Sequence, residues 1–206
     1  MSLRDELTAL HAKLHDEKRA QFDRSLPFDE LLFDRWERAR TLGFGEGTSI
    51  YHNSYVLFDV TVGCHTWIGP FTMLDGRGCL RIGDWCSLST GVQIYTHDTV
   101  KWAVTGGKAE YECAPVIIGN CCYLGSQTVI TKGVEIGDHC VVGACSLVNR
   151  SLPPCSVAFG VPARVRGRVI VEGNDARIEW LPGEGPATNA EAARLEAELS
   201  GASAAV

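Results

Sequence analysis

The chain has 206 residues and a formal net charge of -6, which excludes an overall basic field that would attract nucleic acid or anionic lipid. Hydrophobic residues make up 45% and charged residues 21%, an ordinary globular balance. No apolar run approaches the roughly 18 residues of a membrane-spanning helix, so neither nucleic acid nor a membrane is an expected partner.

From Met1 to Leu10 the chain carries Arg4, Asp5 and Glu6 where a secretion signal needs a continuous apolar stretch, which points to a cytoplasmic protein. Leu3, Leu7, Leu10 and Leu14 at helical spacing predict a helix within residues 1–20. Ser25-Leu26-Pro27 breaks it, and Phe28 to Arg40 reads as a second helix with Leu31, Leu32, Trp36 and Ala39 on its apolar stripe. These elements form an N-terminal helical segment, residues 1–47.

A six-residue period follows. An aliphatic residue returns at Ile50, Val56, Val62, Ile68 and Leu74, slips by two residues around Gly76 to Gly78, and resumes at Ile82, Leu88 and Ile94. After a segment without the pattern it returns at Ile118, Leu124, Ile130, Ile136, Val142 and Val148, often followed by glycine. Four positions after the aliphatic residue stands something small or β-branched, as at Thr66, Thr72, Cys86, Val92, Cys122, Thr128, Cys140 and Ser146. A helix cannot hold this period, whose stripe would drift against 3.6 residues per turn. The pattern predicts an all-β solenoid over residues 48–168, three hexads to a coil, with coils stacked at roughly 4.8 Å. A loop, residues 96–115, interrupts it.

Eighteen residues per coil places Cys86, Cys122 and Cys140 on one corner, as small residues filling one slot. The chain has nine cysteines, an odd number, without paired CxxC units, so neither a disulfide framework nor a thiolate metal cluster is expected. Residues 169–206 form a C-terminal extension. Arg168 to Ile178 reads as one or two short strands, 182–186 as a linker, 187–200 as a helix and the remainder as a tail.

His97 sits in Tyr95-Thr96-His97-Asp98, where the hexad phase gives way to the loop. An imidazole on a loop thrown from a rigid coil suits general base catalysis at neutral pH. Asp98 is a candidate to orient it. Asp75, at the two-residue slip, is either a turn-forming aspartate or a carboxylate that a bulge would aim into the groove.

The hexads, the stretch from Ile118 to Ser126, and Pro153-Pro154 followed by Gly160-Val-Pro-Ala-Arg164 resemble the hexapeptide-repeat acetyltransferases. The likeness is nearest to sugar O- and N-acetyltransferases of the maltose, galactoside and surface-polysaccharide type. It implies a left-handed parallel β-helix, a homotrimer with sites between prisms, and acetyl-CoA as donor with no metal required. It also implies a sugar or nucleotide-sugar acceptor, with His97 as general base and Asp75 near an acidic substrate contact. Gly125, Ser126, Gly143 and Ala144 would line the acyl group and pantetheine arm. Arg150, Arg164 and Arg166 would meet the CoA phosphates, Arg164 matching the basic residue of the closing motif. Tyr123 stands where the family often has tryptophan, and Asp98 where many sugar enzymes have proline.

Three alternatives stay open. An amine acceptor would make His97 less essential. A γ-class carbonic anhydrase-like hydratase would need three histidines such as His65, His97 and His139 around a metal, without the close pair expected there. A non-catalytic trimeric scaffold would use the prism for assembly alone. Trp67, Trp85 and Trp102 suit either subunit packing or a sugar platform.

Overall fold

The computed structural model describes residues 2–185. Helix α1, Leu3–Phe22, starts in a capping box. The Ser2 hydroxyl accepts from the Asp5 N–H at 3.3 Å and the Asp5 carboxylate accepts from the Ser2 N–H at 2.8 Å. The second helix expected from Phe28 to Arg40 is two: α2, Phe28–Leu32, and α3, Arg35–Thr41. Phe33 is extended between them, and the Asp34 carboxylate accepts from Trp36 and Glu37 N–H at 2.9 and 2.8 Å. A side chain that satisfies two orphan donors starts a new helix. From α3, Ala39 is buried in the core, and Arg38 donates to the carbonyls of Tyr51 and Ser54 on the first coil. That cap blunts the open edge of the solenoid.

Parallel strands then stack as predicted. Ser49 pairs Trp67 and Tyr123 pairs Val141, eighteen residues apart, whereas Tyr123 pairs Ser87 across the loop. Three stacks of aliphatic side chains fill the prism. Ile50, Ile68, Leu88, Leu124 and Val142 form one, Leu74, Ile94, Ile130 and Val148 another, and Val62, Ile82, Ile118 and Ile136 the third, all buried. A hexad therefore buries one large residue per face, and about six coils supply a continuous core.

Cys86, Cys122 and Cys140 share a corner, between Thr66 and Ser156 of the adjoining coils. Each thiol donates to a backbone carbonyl one coil on: Gly119 at 3.1 Å, Gly137 at 3.2 Å and Pro153 at 3.2 Å. Thr66 makes the same bond to Gly83 at 3.0 Å, so the slot takes any small donor. The neighbouring Cys140 and Cys86 thiols, and then burial, push the Cys122 thiol above its ordinary range. All nine cysteines are free.

Beyond the last coil, Ser156–Gly160 pairs antiparallel with Ala163–Glu172, which pairs with Asp175–Trp180. The strand signal read at 168–178 thus belongs to two longer strands that extend the first sheet. The helix and tail expected from 187 onward lie outside the described residues.

Candidate active site

The two-residue slip builds the centre of the site. Strand Met73–Ile82 runs through it, and the bulge lets Gly76 and Gly78 approach neighbouring backbone. A Cβ on Gly76 would stand 2.2 Å from the Asp59 carbonyl oxygen, and one on Gly78 2.4 Å from that of Thr96. Glycine is required at both for closeness of packing.

Asp75 lies at the start of this bulge and is 1% exposed. Its Oδ1 accepts from the Arg77 N–H at 3.1 Å and its Oδ2 from the Thr96 N–H at 3.2 Å. The same Oδ2 is 2.5 Å from His97 Nδ1. The Thr96 hydroxyl donates to the Asp75 carbonyl at 2.8 Å and itself accepts from Gly78 N–H at 2.7 Å. The imidazole is thus fixed from below by a buried, fully bonded carboxylate. His97 keeps 24% of its side chain exposed.

Asp75, expected to touch substrate, instead faces the imidazole, and Asp98, expected to orient the imidazole, points elsewhere. The Asp98 carboxylate caps Val100 N–H at 3.0 Å and pairs with Lys132 at 2.9 Å. Lys132 first, then the Val100 N–H, holds the Asp98 carboxyl below the usual carboxylate range. His97 and Asp98 pair antiparallel with Cys113 and Glu112, closing the loop on itself. Helix α4, Val100–Val104, lies at its tip. Lys101 bonds Glu112 at 2.7 Å and lowers its pKa, and Lys132 stands 3.6 Å from the same carboxylate. These ion pairs form a clasp across the loop's base; sequence reasoning missed Lys132 as its partner, and missed the separate contact of Arg77 with the Tyr111 ring. The signal available for Lys132 was its register: Val129 pairs Gln93 and Ile130 pairs Ile94, which puts Lys132 beside the exit of the His97 strand.

Of the residues expected to line the donor, Gly125, Ser126, Gly143 and Ala144 share a different corner. Gly125 and Ser126 stack against Gly143 and Ala144, with the Ser126 carbonyl accepting from Cys145 N–H at 2.8 Å. A Cβ on Gly125 would meet the Ala144 nitrogen at 2.4 Å, and one on Gly143 the Phe159 Cβ at 2.7 Å. Both glycines are thus needed by the stacking of coils themselves. Ala144, Arg150 and Arg164 are exposed, and the Arg164 side chain bonds only the Ala163 carbonyl, at 2.9 Å. Arg166 differs: both Glu184 oxygens hold its guanidinium at 2.6 Å, which neutralises it for phosphate. This ladder of small residues, exposed at Ala144, with two uncommitted arginines near its end, could seat an extended thioester arm bearing phosphates.

Ser126 and His97 do not meet within one chain. Gln127 bonds Thr90, before the face that His97 leaves from, so the two residues lie at opposite edges of that face. His65 and His139 sit on another corner, both with positive φ, at 53° and 58°, and the His65 ring stacks on Trp85 at 4.1 Å. Among the described residues no group of three or more His, Cys, Asp or Glu is arranged to hold a metal ion. No helix among them is long and apolar enough to cross a membrane. Trp67 packs edge-on against Tyr51, and Trp102 edge-on against Tyr111 beside the site.

Residues 115–150 match the family described as "Bacterial transferase hexapeptide (six repeats)". The chain is 33% identical over 125 residues to a galactoside O-acetyltransferase of Escherichia coli, an alignment covering 51% of this chain. It spans 62% of that relative's length, less than two thirds. Nodulation protein L of Rhizobium meliloti is 34% identical over 140 residues, covering 65% of this chain and 76% of that protein. Among solved structures, a hexapeptide-repeat containing acetyltransferase of Vibrio cholerae, complexed with acetyl coenzyme A, superposes with a TM-score of 0.51. It is 27% identical, with 78% of this chain and 87% of that one covered. The shared architecture is the left-handed parallel β-helix.

Proposed function

This chain belongs to the hexapeptide-repeat transferase family, and on that footing we propose that it moves an acetyl group from acetyl-CoA to a sugar or nucleotide-sugar. His97 is the general base, and a hydroxyl or amino group is the acceptor. The observation that carries this reading is the 2.5 Å contact between His97 Nδ1 and the buried Asp75 carboxylate.

A carboxylate that already accepts two backbone N–H bonds offers the imidazole an acceptor, so Nδ1 carries the proton and Nε2 keeps its lone pair. As the acceptor oxygen or nitrogen attacks the thioester carbon, Nε2 takes its proton. Asp75 stabilises the imidazolium that forms, without taking the proton itself. The tetrahedral intermediate collapses as the carbon–sulfur bond breaks, and the CoA sulfur leaves with the proton from Nε2. Ser126, by hydroxyl or backbone N–H, stabilises the oxyanion.

Because Ser126 and His97 lie at opposite edges of one face, the reading includes a homotrimer in which neighbouring prisms complete each site. Gly125, Gly143 and Ala144 line the pantetheine arm, and Arg150 and Arg164 pair with phosphate oxygens. Arg166 contributes less, being neutralised by Glu184. Nine free thiols suit the reducing cytoplasm, where acetyl-CoA is also made available.

The test is CoA release from acetyl-CoA across sugars and nucleotide-amino-sugars, with wild type and His97→Ala side by side. The expected result is acceptor-dependent release that falls about 100-fold or more in the variant. Full activity in His97→Ala would remove the histidine from the mechanism, and absence of release and of CoA binding would remove the transferase.

A further inference from the structure

A cleft of about 470 Å³ lies beside the strand that pairs with His97, walled by Arg77, Trp102, Lys108, Glu110, Tyr111 and Cys113. Two of its wall residues neighbour the site: Cys113 is the cross-strand partner of His97, and the Tyr111 ring centroid lies 6.2 Å from that of His97. Two aromatic rings, Trp102 and Tyr111, meet edge-on at 5.9 Å along one side.

Arg77 is the unusual member. Its backbone N–H bonds the Asp75 carboxylate at 3.1 Å, so the bulge that holds His97 also fixes Arg77. Its guanidinium lies 4.8 Å from the Tyr111 ring and 5.7 Å from the Phe58 ring. Rings hold a guanidinium by its face and leave its N–H edge for other partners. Among the described residues no carboxylate forms an ion pair with Arg77 or with Lys108, although every other lysine and arginine of the loop region, Lys101 and Lys132, is paired. The one carboxylate on the cleft wall, Glu110, makes no ion pair either, leaving two cations against one anion.

We propose that this cleft is an anion subsite for the acceptor, with Arg77 as its anchor and Lys108 in support. The aromatic pair supports the sugar ring, and the guanidinium meets an anionic oxygen group, a phosphate or a carboxylate, carried by the same molecule. The inference rests on the acyl-transfer reading for its substrate, and it sorts acceptors: charged sugars are preferred over neutral ones. The charge is assigned to the acceptor because the cleft borders the His97 strand through Cys113 and Tyr111, whereas Gly125, Ser126, Gly143 and Ala144 stand on a different corner.

The experiment measures kcat/KM on matched acceptors that differ in charge: a hexosamine against its 1-phosphate, and a hexose against its hexuronate. Wild type, Arg77→Gln, Arg77→Lys and Lys108→Gln are compared. The expected result is that wild type prefers one charged member by roughly 10- to 100-fold, the range of a charge-assisted hydrogen bond. Arg77→Gln brings that ratio toward one through KM, and Arg77→Lys restores part of it. The phosphate and carboxylate arms tell the two sources apart. A ratio unchanged in Arg77→Gln, or an equal fall on charged and neutral members, would reduce Arg77 to a latch for Tyr111 and overturn the subsite. Wild type without transfer to any acceptor would instead strike the acyl-transfer reading. In that event calorimetry with inorganic pyrophosphate and glucuronate, at saturating CoA, decides the subsite separately. Binding weakened at least tenfold in Arg77→Gln supports it, and equal or absent binding in both proteins overturns it.

Discussion

Replacing Asp75 by Asn tests the centre of the site with the least change of shape. The carboxylate accepts three donors: Arg77 N–H on Oδ1 at 3.1 Å, Thr96 N–H on Oδ2 at 3.2 Å, and His97 Nδ1 on Oδ2 at 2.5 Å. An amide has one accepting and one donating end, so either orientation fails somewhere. With its oxygen toward His97, the NH₂ meets the Arg77 N–H, donor against donor. With the NH₂ toward His97, it opposes the Thr96 N–H and requires Nδ1 to accept, which protonates Nε2 and removes the base. A buried donor left without a partner costs about 1–3 kcal/mol, and the two orientations are therefore close enough for the inactive one to be populated. Loss of the compensating charge acts in both, because the imidazolium then forms beside a neutral amide. We expect kcat to fall about 100-fold or more, with KM for acetyl-CoA little altered. Adding His97→Ala to Asp75→Asn should then cost far less than His97→Ala alone, since the two residues act as a unit. The assay is initial-rate thiol release from pH 5 to 9, with thermal unfolding run alongside to show that the fold persists. A variant within threefold of wild type and with the same pH profile would refute the coupling.

Two further outcomes follow from packing and from the loop clasp. Gly125→Ala places a Cβ 2.4 Å from the Ala144 backbone nitrogen, and it should destabilise the protein by about 1–3 kcal/mol, read as a lowered denaturant midpoint; an unchanged midpoint would mean that the coils part at no cost. Asp98 and Glu112 have pKa values held below their ordinary range, by Lys132 and by Lys101 respectively, so their contribution is present above the usual carboxylate range and is lost as pH falls through the depressed values. Amide exchange across 99–113, corrected for intrinsic rates, should therefore accelerate on acidification below about pH 4, and Lys132→Met should show the same loosening already at neutral pH; protection that is flat with pH and indifferent to Lys132 would break the clasp.

The solenoid was legible because one aliphatic residue per six is a count of faces, and from Ile50 to Val148 every such residue but the half-buried Val56 buries its side chain in the prism. The corner shared by Cys86, Cys122 and Cys140 followed from the same arithmetic. The helix from Phe28 to Arg40 did not, because an apolar stripe can continue across a break; Asp34 with Glu37 three residues on was the local signal that a new helix starts there. Site assignment failed in a different way. Periodicity places Asp75 beneath Tyr95, its register partner, and a chain that stayed in the strand would carry His97 away from it.

His97 comes back because the loop closes antiparallel on Cys113 and Glu112, an interaction with no period to betray it. The nearest carboxylate in sequence, Asp98, was accordingly the natural choice, yet adjacent residues in a strand point to opposite sides. His97 turns toward Asp75 while Asp98 turns toward Lys132, so the alternation that excludes Asp98 from the imidazole also supplies the clasp. Repeats specify what lies inside the prism, one residue in six. The chemistry sits where the repeat is broken, at the two-residue slip and the loop, and there the partner of a residue is set by backbone closure. That is why Asp75, His97 and Arg77, all within reach of one bulge, form a coherent site that no spacing rule assembles.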